Sequence, residues 1–176
     1  ILQDVPDSLR YTTAGGRTVI GGGGVVPDLL VPPDSSSRLL QVVLRKNLDN
    51  QFARLWMDER GDALHQQWGG QRDAFVRDFS VYPEMFEAFV AHMKEHGVEI
   101  REEGNNSGAS DGEEVFTRQE LEAARNYLET RLKARMAHRL FDRGTWYQVH
   151  HTVDRALQEA MAHWQRAEEL SRGEVL

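Results

Sequence analysis

The sequence predicts a mainly α-helical protein that begins with a β-hairpin. A glycine-rich segment with many β-branched residues fills the first 33 positions, whereas apolar residues recur at three- and four-residue steps from Leu39 onward. Residues that favour the starts and ends of helices flank these periodic stretches. We therefore expect strands within residues 1–34 and a helical domain over residues 35–176.

The N-terminal segment is expected to form two short strands joined by glycine-rich connections. Gly15-Gly16 and the four glycines at 21–24 tolerate positive φ, while the Thr, Val and Ile residues beside them prefer extended backbone. Pro32 and Pro33 end the second strand, because proline has no N–H to donate to a ladder. The segment is typical of a β-hairpin with a glycine-rich tip.

Helices are predicted from residue 35 to residue 97. A long amphipathic helix extends to about Met57, and the serines at 35–37 can cap its N-terminus. Shorter helices follow over residues 62–68 and 71–77, separated by Gly69-Gly70. Pro83 suits the first turn of the next helix, which Gly97 ends before a short extended piece.

The remainder of the chain is predicted as a mobile loop near 104–114 and two further helices. Thr117 and Glu120 have the spacing of a capping box, so a helix starts there and is expected to run to Phe141, with Gly144 as the stop. A last helix starts at about Thr145. Its expected buried residues are Trp146, Tyr147, Val149, Val153, Ala156, Leu157, Ala160, Met161 and Trp164.

Composition limits the classes of function. The chain has 176 residues and a formal charge of −7, and its basic residues are dispersed, which argues against a nucleic-acid partner. It has no stretch of about 18 apolar residues that would span a membrane. The lack of cysteine excludes disulfides, thiolate metal sites and cysteine catalysis.

One motif in the N-terminal segment is specific. Gly16-Arg17 is followed by Pro27-Asp28, with aliphatic residues around them. This separation and these residue types resemble a segment of the carboxy-terminal processing (tail-specific) serine peptidases. Residues 137–149 are similar to the C-terminal extension of bacterial members of that family. The resemblance implies that residues 1–34 are the last strands of a peptidase domain, and that residues 35–176 are a helical C-terminal domain.

The same resemblance implies where the chemistry would lie. Ile1-Leu2-Gln3 is similar to the end of the family's lysine motif, so Gln3 would orient the catalytic lysine. No Gly-Ser-Ala-Ser motif is present, and Lys46, Lys94 and Lys133 lie in helical patterns. We therefore expect the chain alone to be inactive, with a serine nucleophile and a lysine base supplied upstream in the parent protein.

Further expectations follow from the family. The parent would be a serine endopeptidase of the periplasm or cell envelope that acts on protein or peptide substrates. The helical part would be an accessory module for homo-oligomerisation or regulation. The alternative is a free-standing helical interaction domain without enzymatic activity, in which exposed aromatic residues would mark a docking surface.

Histidine and serine residues offer weaker sites. His92 and His96 are four apart on one helix face, as in a zinc-ligand pair, but the sequence shows no HExxH arrangement and no evident third ligand. His150 and His151 are adjacent and should point to different faces. No serine lies in a nucleophile elbow. No metal and no cofactor is therefore predicted.

Overall fold

The computed structural model describes residues 6–14, 16, 18–21, 37–102 and 114–172. The chain divides into two compact units, one formed by Ile1–Asp34 with Arg155–Leu176 and the other by Ser35–Asp154. The fold is mainly helical, and a small two-stranded hairpin precedes the helices, which confirms the predicted fold class.

The hairpin pairs β1 (Arg10–Thr12) with β2 (Thr18–Ile20) in antiparallel register. Gly16 lies in the connection with a φ of 82°, which a glycine adopts without steric cost. The turn of this hairpin therefore contains Gly16. Gly21 follows β2, whereas the glycines at 22–24 and the predicted strand that ends at Pro32 lie outside the described residues.

The long helix predicted after residue 35 is in fact two helices, α1 (Arg38–Arg45) and α2 (Leu48–Trp68). Asn47 breaks it with a φ of 55°, a left-handed conformation that asparagine tolerates better than most residues. The expected boundary near Met57 is wrong, because α2 continues through Gly61 to Trp68. A single glycine costs a helix only about 1 kcal/mol.

The next two helices agree with the sequence pattern. Gly69-Gly70 ends α2, and α3 (Arg72–Asp78) and α4 (Pro83–Glu95) follow. Gly70 and Gly97 have φ values of 76° and 77°, so α2 and α4 are each followed by a left-handed glycine.

A two-stranded parallel sheet follows α4. It pairs β3 (Val98–Arg101) with β4 (Glu114–Thr117), and Val98 lies opposite Glu114. The sequence pattern did not predict β4, and Glu114, expected in the mobile loop, is its first residue. Parallel strands need a connection of about a dozen residues, which positions 102–113 supply. Most of the predicted loop, residues 104–113, lies outside the described part of the chain.

The predicted capping box starts α5 (Arg118–Leu140). Thr117 Oγ1 accepts a hydrogen bond from Glu120 N at 3.2 Å, and the Glu120 carboxylate accepts one from Thr117 N at 2.7 Å. The helix ends at Leu140 with Phe141 as its C-cap, within one residue of the predicted end, but Gly144 is not the residue that stops it. Asp142 then caps α6 (Arg143–His150) by accepting from Thr145 N at 2.8 Å, so Gly144 lies inside the first turn of α6.

The predicted last helix is interrupted. After α6 the chain forms a 3-10 turn (His151–Val153), α7 (Arg155–Ala162) and α8 (Trp164–Ser171). Asp154 has a ψ of 94° and ends the helical run, where Thr152, Val153 and Asp154 all have low helix propensity. Of the residues expected to be buried, Val149 is buried and Trp146 is partly buried against the core, whereas α7 has no buried residue.

The core of the Ser35–Asp154 unit is formed by α1 to α6 with β3 and β4. Phe75 stacks on Phe79 with ring centroids 4.5 Å apart and contacts Trp68 and Phe141 edge-on. The largest side chains with less than 2% exposure are Phe75, Phe89, Phe116, Leu39, Leu48, Met85, Met93, Leu128, Leu132, Met136, Val43 and Val98.

A buried carboxylate joins α2 to α5. Asp49, 1% exposed, accepts hydrogen bonds on Oδ2 from Arg131 Nη2 at 2.7 Å and from Arg135 Nε at 2.9 Å. Charge-assisted bonds of this kind are stronger than neutral ones, so Asp49 fixes the register of the two helices.

In the described part of the chain, none of the helices combines the length and hydrophobicity needed to cross a lipid bilayer.

Candidate functional site

A groove between α2 and α4 is the first candidate site. It encloses about 220 Å³ and has an apolar floor, with the carboxylates of Glu59 and Glu95 among its lining. The groove is lined by Phe52, Leu55, Trp56, Glu59, Ala88, Ala91, His92 and Glu95. Leu55 is 45% exposed, so the groove opens to solvent.

Two buried polar atoms in this groove have no hydrogen-bond partner among the described residues. They are Trp56 Nε1 and His92 Nε2. Both side chains are held by aromatic contacts with Phe52, whose ring centroid lies 5.5 Å from that of Trp56 and 5.9 Å from that of His92. A buried polar group without a partner is destabilising, so a ligand or water at this position would be favoured.

The last turn of α4 brings together His92, Glu95 and His96. One potential ligand atom from each lies within 4.8 Å of the others. His92 and His96 have ring centroids 4.2 Å apart, and His96 Nδ1 lies 2.8 Å from the His92 carbonyl oxygen. The sequence indicated the histidine pair but no third ligand. Glu95 could have been found from its i+3 spacing to His92, which places both on one helix face.

The surroundings of His92 favour its neutral form. Burial lowers its pKa, the neighbouring His96 lowers it further, and Glu95 acts in the opposite direction. A neutral imidazole has a free nitrogen lone pair, which is the form that accepts a hydrogen bond or binds a metal ion. This arrangement can therefore bind a cationic ligand.

A second cavity, of about 570 Å³, lies between α2 and α5. It is lined by Asn50, Met57, Arg135, His138 and Arg139, and the charge of Arg135 is paired with that of the buried Asp49. Arg139 donates to Asn50 Oδ1 at 2.9 Å, and its Nε has no partner among the described residues. Burial, and next the charge of Arg135, lower the pKa of Arg139. The cavity can receive a small anion.

Comparison with known families identifies the helical unit. Residues 39–142 match the model of a family of unknown function, DUF8443. The chain belongs to the DUF8443 family. No curated protein and no solved structure matches the chain. The matched range of DUF8443 runs from α1 to Asp142, which caps α6, and contains both cavities.

The role that the sequence suggested for Gln3, as a lysine-orienting residue, stays a prediction for this DUF8443 protein. Gln3 lies outside the described residues, as do Ser35, Ser36, Ser107 and Ser110. Ser37 is the N-cap of α1, where its Oγ accepts from Leu40 N at 3.3 Å.

The three lysines have structural positions. Lys46 is the C-cap of α1, and its Nζ donates to the His96 carbonyl oxygen at 2.8 Å. Lys133 Nζ donates to the Val76 carbonyl oxygen at 2.7 Å, in the last turn of α3, where a cation is favoured by the helix dipole. Burial lowers the pKa of Lys133. Lys94 lies in the last turn of α4.

The adjacent histidines have different surroundings, as predicted. His150 is half-buried and stacks on Trp146 with centroids 4.4 Å apart, whereas His151 is exposed and lies near Tyr147. The large aromatic residues likewise include both buried and exposed side chains. Trp56 and Phe79 are buried in the core, but Tyr82, Tyr147 and Trp164 are 36%, 40% and 67% exposed.

Proposed function

We propose that this chain is the C-terminal portion of a serine endopeptidase that resembles the tail-specific peptidases. The observation that carries the proposal is the motif that begins at Tyr11 and includes Gly16-Arg17 and Pro27-Asp28. The serine nucleophile and the lysine base are supplied upstream in the intact protein. A buried environment there depresses the lysine pKa, so that the neutral amine can act as a base.

The hairpin supports this proposal. Tyr11 and Val19 lie opposite each other in the register, yet they are 57% and 38% exposed. A two-stranded hairpin is only marginally stable in water by itself. Strands with uncovered apolar residues are expected where the pair completes a larger sheet, as the last strands of a peptidase domain would.

The helical part, residues 35–176, is proposed to be an accessory module for homo-oligomerisation or regulation, outside the catalytic domain. Its support is the exposed apolar surface that follows the helical unit, where Met161 and Trp164 are 60% and 67% exposed. Exposed apolar residues of this size favour contact with a protein partner. The intact enzyme is proposed to act on protein or peptide substrates in the periplasm or cell envelope.

The proposal is tested on the intact protein with an unfolded polypeptide substrate. We expect cleavage of a substrate with a free carboxy terminus, and labelling of the nucleophilic serine by a fluorophosphonate. Removal of residues 35–176 should change the rate or the oligomeric state, while the serine remains reactive. The matched control replaces the nucleophilic serine by alanine. An intact protein that neither cleaves nor reacts would reject the peptidase proposal.

The second candidate is a free-standing interaction domain, which the self-contained core of the Ser35–Asp154 unit favours. The two candidates differ in the coding sequence upstream of Ile1. A Gly-Ser-Ala serine motif and a Gly-Lys-Gly lysine motif in that frame would support the peptidase. Their absence from the intact protein, with a binding partner recovered through α7 and α8, would support the interaction domain.

A further inference from the structure

We propose that His92, Glu95 and His96 form a binding site for a divalent transition-metal ion, with Zn²⁺ as the expected ion. Their potential ligand atoms lie within 4.8 Å of one another at the C-terminal end of α4. Among the described residues, these three side chains form the group of at least three His, Cys, Asp or Glu residues whose ligand atoms lie this close together. The inference does not depend on the proposed peptidase function.

The geometry needs only small side-chain movements to bind a metal. Zinc lies about 2.0–2.2 Å from nitrogen and oxygen ligands, so the ligand atoms of a tetrahedral site are about 3–4 Å apart. Glu95 and His96 are exposed and can change rotamer, whereas His92 is 5% exposed and held by the core. The buried imidazole would therefore fix the site, and the two mobile ligands would close on the ion.

The unused nitrogen of His92 is an independent indication. Its Nε2 is buried and has no hydrogen-bond partner among the described residues. A metal bond to this nitrogen would give the buried atom the partner that it lacks. The Phe52 ring lies 5.9 Å from the His92 ring and restricts its orientation. The protein thus holds an imidazole in the core with part of its bonding capacity unused.

A hydrogen bond sets the orientation of His96. Its Nδ1 lies 2.8 Å from the His92 carbonyl oxygen, so Nδ1 carries the proton and Nε2 is left with the lone pair. A metal-bound histidine commonly donates its other ring N–H to a carbonyl or carboxylate, and this second contact fixes the tautomer. His96 has that arrangement before any ion binds.

The local field also favours a cation. The three residues lie in the last turn and C-cap of a 13-residue helix, where the helix dipole is negative, and Glu95 adds a full negative charge. Lys46 approaches the His96 carbonyl, but its ammonium is paired with Glu114 at 2.5 Å. Glu114 also pairs with Arg45, so its single negative charge compensates only part of the positive charge of the two side chains.

The ligand set indicates the type of metal. Two imidazoles and one carboxylate are typical ligands of Zn²⁺, and Ni²⁺ or Cu²⁺ are also bound by imidazole, whereas Mg²⁺ and Ca²⁺ prefer oxygen ligands. Three protein ligands leave one tetrahedral position for water or for a group from another molecule. The site is therefore open on the solvent side, beside the groove that Glu95 also lines.

Titration of the full chain with Zn²⁺ in a non-coordinating buffer, with the heat measured by calorimetry, tests the site. We expect one Zn²⁺ per chain and no comparable heat with Mg²⁺. His96→Ala and Glu95→Gln replace exposed side chains and should leave the fold intact, which circular dichroism checks. Loss of a ligand should weaken binding by about tenfold or more, since loss of a supporting contact alone costs about 10–100-fold.

His65→Ala is the matched control, because His65 is also an exposed histidine in the last turn of a helix. It should leave zinc affinity unchanged. Long-range ¹H–¹⁵N spectra of the histidine rings give a second readout, in which Zn²⁺ should shift the ring nitrogens of His92 and His96 only. The proposal is overturned if wild type shows no saturable binding, or if His65→Ala weakens binding as much as His96→Ala does.

Discussion

The two units of the molecule both contain large apolar residues but differ in what they bury. In the Ser35–Asp154 unit, Phe75, Phe89 and Leu132 are completely buried. In the other unit, β1 is exposed along its length and α7 has no buried residue. An apolar stripe therefore predicts which face could be buried, but burial also needs an opposing element of the fold.

The family match follows the same division. The DUF8443 model covers residues 39–142, which lie entirely within the unit that has the core. The hairpin and the helices after Arg155 lie outside it. The matched region is thus the part of the chain in which the described residues form a buried core.

Replacement of Phe75 by alanine should give the largest loss of stability. Phe75 is fully buried between Phe79, Trp68 and Phe141, so its removal loses both transfer free energy and packing. We expect the free energy of unfolding to fall by about 3–5 kcal/mol. Trp164→Ala removes a larger side chain that is 67% exposed, and should change it by less than about 0.5 kcal/mol.

Urea unfolding of both variants, followed by circular dichroism, measures this difference. Equal losses for the two variants would contradict the comparison, because they would mean that Trp164 is packed as tightly as the core. If Trp164→Ala instead makes an oligomer of the chain dissociate more readily, without loss of helix, Trp164 would lie in an interface between chains.

Replacement of Asp49 by alanine should give the next largest effect. It leaves the guanidinium groups of Arg131 and Arg135, 11% and 22% exposed, without their shared carboxylate. Loss of one partner of a buried ion pair costs about 3 kcal/mol. Glu122→Ala, which breaks the exposed pair with Arg125, should cost less than about 1 kcal/mol. Denaturation midpoints at low and high salt distinguish the two, since only the exposed pair is screened.

The sequence predicted the helix ends better than the helix interruptions. Capping residues act locally, so Thr117, Pro83 and Gly97 indicated their boundaries correctly. The interruptions at Asn47 and Asp154 were missed, because asparagine and aspartate are also found inside helices and only the tertiary arrangement selects the break.

The candidate site was predictable only in part. The i, i+4 spacing of His92 and His96 follows from the helical pattern, and the i+3 spacing of Glu95 places it on the same face as His92. The burial of His92 could not be inferred, since it depends on the distant Phe52. Strand β4 was missed for a similar reason, because its partner β3 is separated from it by twelve residues of polar sequence.

A smaller effect is expected at the N-terminus of α5. Thr117→Ala removes the hydroxyl that accepts from Glu120 N, and should lower the free energy of unfolding by about 1 kcal/mol. Thr117→Ser keeps the hydroxyl and should retain most of the stability. Amide hydrogen exchange in the first turn of α5 measures the loss locally. Equal protection in the alanine and serine variants would show that tertiary contacts alone hold this helix end.

The smallest effect is a pH dependence from His150. Burial, and next the charge of Arg131, lower the pKa of this half-buried imidazole below its ordinary value. The unfolded chain therefore binds more protons just below about pH 6.5, so stability falls as pH decreases from there toward the folded-state pKa.

His150→Asn should reduce the loss of stability between about pH 7.5 and pH 5.5, because asparagine does not titrate in this range. The variant also loses the stacking on Trp146, but that loss is the same at both pH values, so the difference between them is the readout. His163→Asn, in the exposed segment between α7 and α8, is the matched control and should leave the difference unchanged. If both variants reduce it equally, burial in the helical unit is not the source of the pH dependence, and the contrast between the two units does not extend to their electrostatics.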